Sequence, residues 1–333
     1  MKALVLSNVK EAAALQEVPK PQPAAGQVLV RLHAAALNHR DVFIQQGLYP
    51  GIQTPVILGS DGAGVVVELG PNVETHWLDQ AVVLLPFFNW DSGPVQPKDY
   101  HILGMPTNGC FAEYIAIDVH QLFPKPTHLS FEQAAALPLA GLTAYRALFT
   151  RGACTTQDRV LISGIGGGVA LWACQLALAI GAEVHVTSGS EHKIEQAVAL
   201  GAKGGINYKS DRWHKALLQQ AGGHFDVVID SAGGDGFRYF LDLAAPAGRI
   251  VFYGGTHGTF SVNPQKVFWK QLSLLGSTMG NRLEFEHLLA LVNQYQIQPV
   301  VDSVWDLADG EAALRHMDKG AQLGKIVLRP TSA

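Results

Sequence analysis

Val160-Leu161-Ile162-Ser163-Gly164-Ile165-Gly166-Gly167-Gly168-Val169-Ala170 runs from an apolar segment through four glycines into a stretch with helical apolar spacing. Strand, glycine turn and helix in that order are what a dinucleotide-binding βαβ unit requires. Glycines let the backbone approach a pyrophosphate, and the helix start offers unsatisfied N–H groups and the positive end of its dipole. Ala170 is small enough for the helix to lie close on the strand. A glycine turn alone also reads as a plain tight turn, so the flanking pattern decides. Strands are expected at Arg159–Ser163, Glu183–Thr187, Phe225–Asp230 and Arg249–Tyr253. Helices fall between them, near Val169–Ile180, Glu191–Leu200, Arg212–Gln220 and Phe237–Ala244. Such alternation calls for an α/β, doubly wound parallel sheet covered by helices on both faces.

The second strand ends Val186-Thr187-Ser188-Gly189-Ser190, followed by Glu191-His192-Lys193. A carboxylate at this strand end binds a ribose 2′-hydroxyl and repels a 2′-phosphate. Hydroxyls, a glycine and a nearby lysine stand here instead, which favours NADP(H) and leaves NAD(H) open. Ser188 and Ser190 are candidate phosphate donors and Lys193 a candidate counter-charge. The competing reading makes Ser190 a helix cap and Lys193 a solvated surface charge.

Working outward, the chain of 333 residues suits two domains. With 48% apolar residues, 16% charged residues and a formal charge of −4, it carries no nucleic-acid footprint. No apolar run reaches the roughly 18 residues needed to span a bilayer, and Met1–Leu6 reads as a first strand, so a cytoplasmic protein is expected. The three cysteines, Cys110, Cys154 and Cys174, lack the spacing of a thiolate metal site or a disulfide framework. Short β-branched segments at Gln27–His33, Gly64–Leu69 and Ala112–Ile117 point to a compact β-barrel. Pro86–Asn108 lacks periodicity and reads as a long loop. Phe87, Phe88 and Trp90 on it form either a wall over a flat apolar substrate or a small satellite core.

Further strings carry a resemblance: Ala36-Leu37-Asn38-His39-Arg40-Asp41, Gly47-Leu48-Tyr49-Pro50, Leu58-Gly59-Ser60-Asp61-Gly62-Ala63-Gly64, Gly109-Cys110-Phe111-Ala112-Glu113-Tyr114, Leu137–Tyr145 and Leu323-Gly324-Lys325-Ile326-Val327-Leu328. Over essentially its whole length the chain resembles the medium-chain dehydrogenase/reductase superfamily, in particular its zinc-independent, quinone oxidoreductase-like branch. The resemblance implies a GroES-like catalytic domain over 1–124, completed by 271–333, and a Rossmann NADP-binding domain over 125–270. It implies that the Asn38 region and Thr143 surround the nicotinamide and ribose. Gly166, Gly167, Gly168 and Val169 would hold the pyrophosphate, and the 188–193 turn with Tyr208 the adenosine end. Gly254, Gly255 and Ser277 would lie against the coenzyme, and Lys325 would reach its phosphates or ribose from the other domain. Zinc-bearing members hold a catalytic metal at positions that are Asn38, Ser60-Asp61 and Leu139-Ala140 in this chain. Amide, hydroxyl and alkyl groups do not assemble that ligand set, so no metal is expected.

Without a metal, hydride transfer needs an acceptor that is already electron-poor, such as a quinone or an α,β-unsaturated carbonyl. Asn38 and Tyr49 are the candidate donors to the acceptor oxygen, with Tyr49 or water as proton source. Tyr49 before Pro50 also reads as a turn aromatic. The apolar run Val267–Gly276 is expected to form an open sheet edge, and similar proteins pair two such edges in a homodimer. Two other readings stand beside the reductase: a zinc-type alcohol or aldehyde dehydrogenase, and a dinucleotide-binding redox sensor or structural protein.

Overall fold

A computed structural model describes residues 1–330. The chain forms two units, the first Met1–Ala140 together with the chain from Asn281 onward, the second Gly141–Gly280. Among the described residues no helix is long and apolar enough to cross a membrane.

The first unit is built on Gln27–Ala36, a ten-residue strand with a largely buried pattern. It pairs antiparallel with Asp61–Leu69, Tyr114–Asp118 and Lys325–Arg329, the core of a seven-stranded sheet. A smaller sheet orders Ala14–Glu17, Lys2–Leu6 and Val56–Ile57. Its packed interior includes Leu4, Leu6, Val30, Leu32, Phe111, Leu314, Ile326 and Leu328. Register does more than fill this core: Ala36 pairs with Asp61 on one side and Val327 on the other. Asn38, Asp61 and Lys325 therefore emerge at the same end of three adjacent strands.

The second unit is a six-stranded, all-parallel sheet in the order Gly204–Asn207, Glu183–Ser188, Arg159–Ile162, Phe225–Asp230, Ala244–Phe252, Ser273–Gly276. By chain order this is third, second, first, fourth, fifth, sixth, the doubly wound topology of dinucleotide-binding sheets. Its reversal lies between Arg159–Ile162 and Phe225–Asp230, where ligands meet the strands' carboxyl ends. Gly204–Asn207 is too short and glycine-rich to show strand periodicity, and sequence reading passes over it.

The unit boundaries depart from the expected 124 and 271 for identifiable reasons. Helix Phe131–Ala135, capped by Ser130, packs on strands Gln27–Ala36 and Asp61–Leu69, so the segment before Ala140 stays with the first unit. At the other boundary Ser273–Gly276 still pairs with Ala244–Phe252. The apolar run expected as one edge strand is divided: Pro264–Lys270 is a helix started by Asn263 and Pro264, and only Ser273–Gly276 is strand.

The expected loop Pro86–Asn108 holds three short strands, Phe87–Phe88, His101–Leu103 and Pro106–Thr107. Phe87 and Trp90 are each 1% exposed and meet Tyr100 with centroids 5.7 and 5.5 Å away. These rings form the satellite core rather than a substrate wall. Trp90→Ala should therefore lower the unfolding free energy in urea by ~3–5 kcal/mol. A loss below about 1 kcal/mol would show that the ring is not a core element.

Candidate active-site residues of the two units

Gly164 and Gly166 have φ of 63° and 123°, values in the left-handed region that a side chain disfavours. The chain turns there and enters helix Gly168–Ala179, whose N-cap is Gly167. A β-carbon on Gly167 would meet nothing within 4 Å, so open space faces this helix start. The first-turn N–H groups have no intrahelical partner and lie beside that space. These features fit a coenzyme pyrophosphate. Ile165 is fixed by its N–H to Thr187 O at 2.8 Å and by Ser188 Oγ donating to Ile165 O at 3.2 Å. Ser188, expected to donate to a phosphate, is buried and gives its hydroxyl hydrogen to the loop; its oxygen accepts from Ser190 N.

Ser190 stands at the N-cap of helix Glu191–Ala199, but its hydroxyl makes no capping bond. The Lys193 side chain lies over the glycine turn: a β-carbon on Gly166 would stand 2.5 Å from its Cδ and 3.3 Å from its Nζ. Tyr208 Oη and Lys209 Cε approach the β-carbon position of Gly189 to 2.8 and 2.9 Å. Glycine at 189 thus lets Tyr208 and Lys209 close over the end of the second strand. Lys209 was not among the residues picked from the sequence; its only signal was its place after Tyr208.

On the other side of the sheet reversal, Gly254 packs so closely on Ser231 that a β-carbon would stand 2.5 Å from Ser231 O. Gly255 follows it, exposed. The hydroxyl of Ser277 is buried without a partner among the described residues. Thr143 is 6% exposed, with Oγ1 against Met279 Sδ at 3.9 Å.

In the first unit Lys325, 3% exposed, donates to Leu37 O at 2.5 Å and Asn38 Oδ1 at 2.6 Å and faces Asp61 Oδ2 at 3.2 Å. Asn38 Nδ2 donates to the same Asp61 oxygen at 2.9 Å, and Leu139 N donates to Asp61 Oδ1 at 2.9 Å. The ammonium expected to reach the coenzyme phosphates or ribose is thus engaged by three acceptors of its own unit. Zinc does not fit this donor set. The single carboxylate is neutralised by an ammonium that would repel a second cation. Among the described residues no group of three or more His, Cys, Asp or Glu side chains is arranged to hold a metal ion.

Arg40, beside this triangle, is 7% exposed and donates to Ser60 Oγ at 2.8 Å, Leu103 O at 2.9 Å and Met105 O at 3.2 Å. Its guanidinium lies 5.1 Å from the Tyr49 ring centroid, a cation–π contact that holds the half-buried phenol. The Tyr49 ring thus packs against Arg40, and no hydrogen bond joins Tyr49 to Asn38. Arg40 was missed because a charged residue in a helical first turn reads as solvated.

Asp41 is fully buried, with Oδ2 accepting from Asn38 N at 2.8 Å and Oδ1 unpartnered. Burial raises its pKa to about 6, against the opposing pull of Arg40, the Asn38 N–H and Lys325. The folded state holds this proton more tightly than the unfolded chain. Asp41 therefore favours folding below about pH 4, and ~2–3 kcal/mol is lost as pH rises through about 6. The stability of Asp41→Asn relative to the wild type should grow between those limits and then level off in urea unfolding. A difference constant with pH would show that Asp41 does not titrate there.

Residues 24–127 match the alcohol dehydrogenase GroES-like domain, and residues 168–294 match zinc-binding dehydrogenase. A zinc-type alcohol dehydrogenase-like protein, YogA, of Leptosphaeria maculans is 38% identical, with 94% of this chain and 93% of the relative covered. An acryloyl-coenzyme A reductase of Sulfurisphaera tokodaii is 28% identical, covering 99% of this chain and 100% of the relative. The crystal structure of an NAD-dependent alcohol dehydrogenase superposes with a TM-score of 0.91 at 35% identity, over 99% of each chain. With a GroES-like unit, a Rossmann unit and relatives matched almost end to end, the chain belongs to the medium-chain dehydrogenase/reductase superfamily of nicotinamide-dependent oxidoreductases.

Proposed function

We propose that the protein is an NADP(H)-dependent, zinc-independent reductase of electron-poor acceptors, namely α,β-unsaturated carbonyls or quinones. The observation that carries this reading is that Asn38 and Asp61, at two of the positions where zinc-bearing members hold their metal, are bound to each other and to the ammonium of Lys325. A site with no place for a Lewis acid suits an acceptor that needs little polarisation. The similarity to an acryloyl-coenzyme A reductase supports the same class.

When bound, the nicotinamide supplies the hydride. The glycine turn and first helical turn of the second unit would hold the pyrophosphate, and Ser190, Lys193, Tyr208 and Lys209 a 2′-phosphate. Hydride addition at the β-carbon of an enone moves the C=C electrons onto the carbonyl oxygen. Asn38 Nδ2–H would donate to that oxygen, and protonation at the α-carbon by Tyr49 or water completes the reduction. Thr143 and Ser277 would bind the nicotinamide side, and Gly254 and Gly255 leave it room.

NADPH and NADH oxidation with enals, quinones and simple aldehydes, each with and without chelator, tests the reading. NADPH with enals or quinones, insensitive to chelator, is the expected result. Stoichiometric zinc with activity lost on chelation would overturn it in favour of an alcohol dehydrogenase. NADPH bound without turnover on any acceptor would point to a sensing role. Lys193→Ala/Lys209→Ala should raise the KM for NADPH ~100-fold or more and leave that for NADH within about twofold, since two charge-assisted contacts to a phosphate, each worth ~1.5–3 kcal/mol, are lost.

We also propose a homodimer through the sheet edge. Among the described residues strand Ser273–Gly276 pairs on one side only, and the neighbouring Phe268 and Trp269 are 59% and 78% exposed. Light scattering should give twice the monomer mass, and Trp269→Glu should halve it; an unchanged mass would place the interface elsewhere.

A further inference from the structure

We propose that Lys325 is a positioning residue for the reduction: its buried ammonium orients and polarises the Asn38 amide, providing from within the protein the fixed positive charge that a metal provides elsewhere. The inference rests on the reading of Asn38 as donor to the acceptor oxygen.

An ammonium has three hydrogens, and three acceptors meet Lys325: Leu37 O, Asn38 Oδ1 and Asp61 Oδ2 at 2.5, 2.6 and 3.2 Å. The head group consequently has one orientation. Asn38 is pinned from both ends, its oxygen by Lys325 and its nitrogen by Asp61 at 2.9 Å. Turning the amide over would set its oxygen against a carboxylate and its NH2 against an ammonium, so charge fixes which end is which. A cation on the carbonyl oxygen draws electron density from the amide nitrogen and strengthens its remaining N–H as a donor. Nδ2 carries two hydrogens. Asp61 takes one, and the other has no acceptor among the described residues, while Asn38 keeps 7% of its surface exposed. Asp61 balances the ammonium, so the burial adds no net charge.

This arrangement separates two roles for Lys325. A residue on the coenzyme phosphates changes coenzyme affinity; one that acts through Asn38 changes turnover. Lys325→Met alone strands the buried Asp61 carboxylate and is expected to unfold readily. The informative variant is Lys325→Met/Asp61→Asn, which removes both charges together and keeps an amide beside Asn38.

For that variant, with the acceptor the wild type reduces best, kcat should fall ~10–100-fold while KM stays within about threefold. The Kd for NADPH, from fluorescence titration, should stay within about twofold. In the 15N-labelled protein the Asn38 side-chain NH2 resonances, assigned by their loss in Asn38→Ala, should move upfield in the double variant and stay in place in Lys193→Ala. Unchanged kcat in the folded double variant would overturn the proposal. So would NADPH binding weakened tenfold or more, which would return Lys325 to the phosphates. A wild type that reduces no enone or quinone would sink the functional reading on its own; the Asn38 resonances would still decide whether Lys325 holds the amide.

Discussion

Every α-helix begins with N–H groups that no carbonyl of its own can reach, and the second unit is organised around one such beginning. In a parallel sheet with crossover helices, each strand's carboxyl end leads to the start of a helix. At Gly167 that junction has no side chain, so backbone rather than a methyl faces the open space. The neighbouring structure holds this turn in shape: Thr187 O and Ser188 Oγ bind Ile165 from the adjacent strand. Lys193 and Lys209 then concentrate positive charge along one side of the same strand ends.

The first unit meets a different constraint. A lysine and an aspartate that are both nearly inaccessible need each other, since either alone would be a stranded charge. The strand register brings them together, because Ala36 is paired with Asp61 on one flank and with Val327 on the other. The helix His39–Gln45 begins at the same point, with Asp41 closing back on the Asn38 N–H. Asn38 is therefore fixed through backbone and side chain alike. Its neighbours are charged groups already paired among themselves.

Much of this was legible in the residues. The glycine turn, the second strand's end without a carboxylate, and the parallel sheet follow from patterns within about thirty residues of one another, where local physics is strong. Ser188 and Lys325 show where such reading stops. A serine at the end of a strand can donate outward to a phosphate or sideways to a loop carbonyl, and the choice depends on where Ile165 lies. Lys325 follows Gly324 in a terminal strand more than 260 positions from Asp61; nothing nearby in sequence announces a carboxylate partner. The aromatics Phe87 and Trp90 were likewise ambiguous, since ring burial depends on Tyr100 arriving from the far side of the same lobe.

The sequence by itself determined the two-unit α/β organisation, the place of the glycine turn between a strand and its helix, and the amide, hydroxyl, carboxylate and alkyl groups that stand at Asn38, Ser60, Asp61 and Leu139. These are properties of local periodicity and of side-chain chemistry, present whatever the chain does elsewhere. Only the tertiary structure decided which polar groups stay open to a ligand and which are consumed in holding the site: Ser188 by a carbonyl, Lys325 by Asn38 and Asp61, Arg40 by Ser60 and two backbone oxygens. Hydrogen bonds form between groups that the fold brings within about 3 Å, and that distance is set by strand register and packing rather than by residue type.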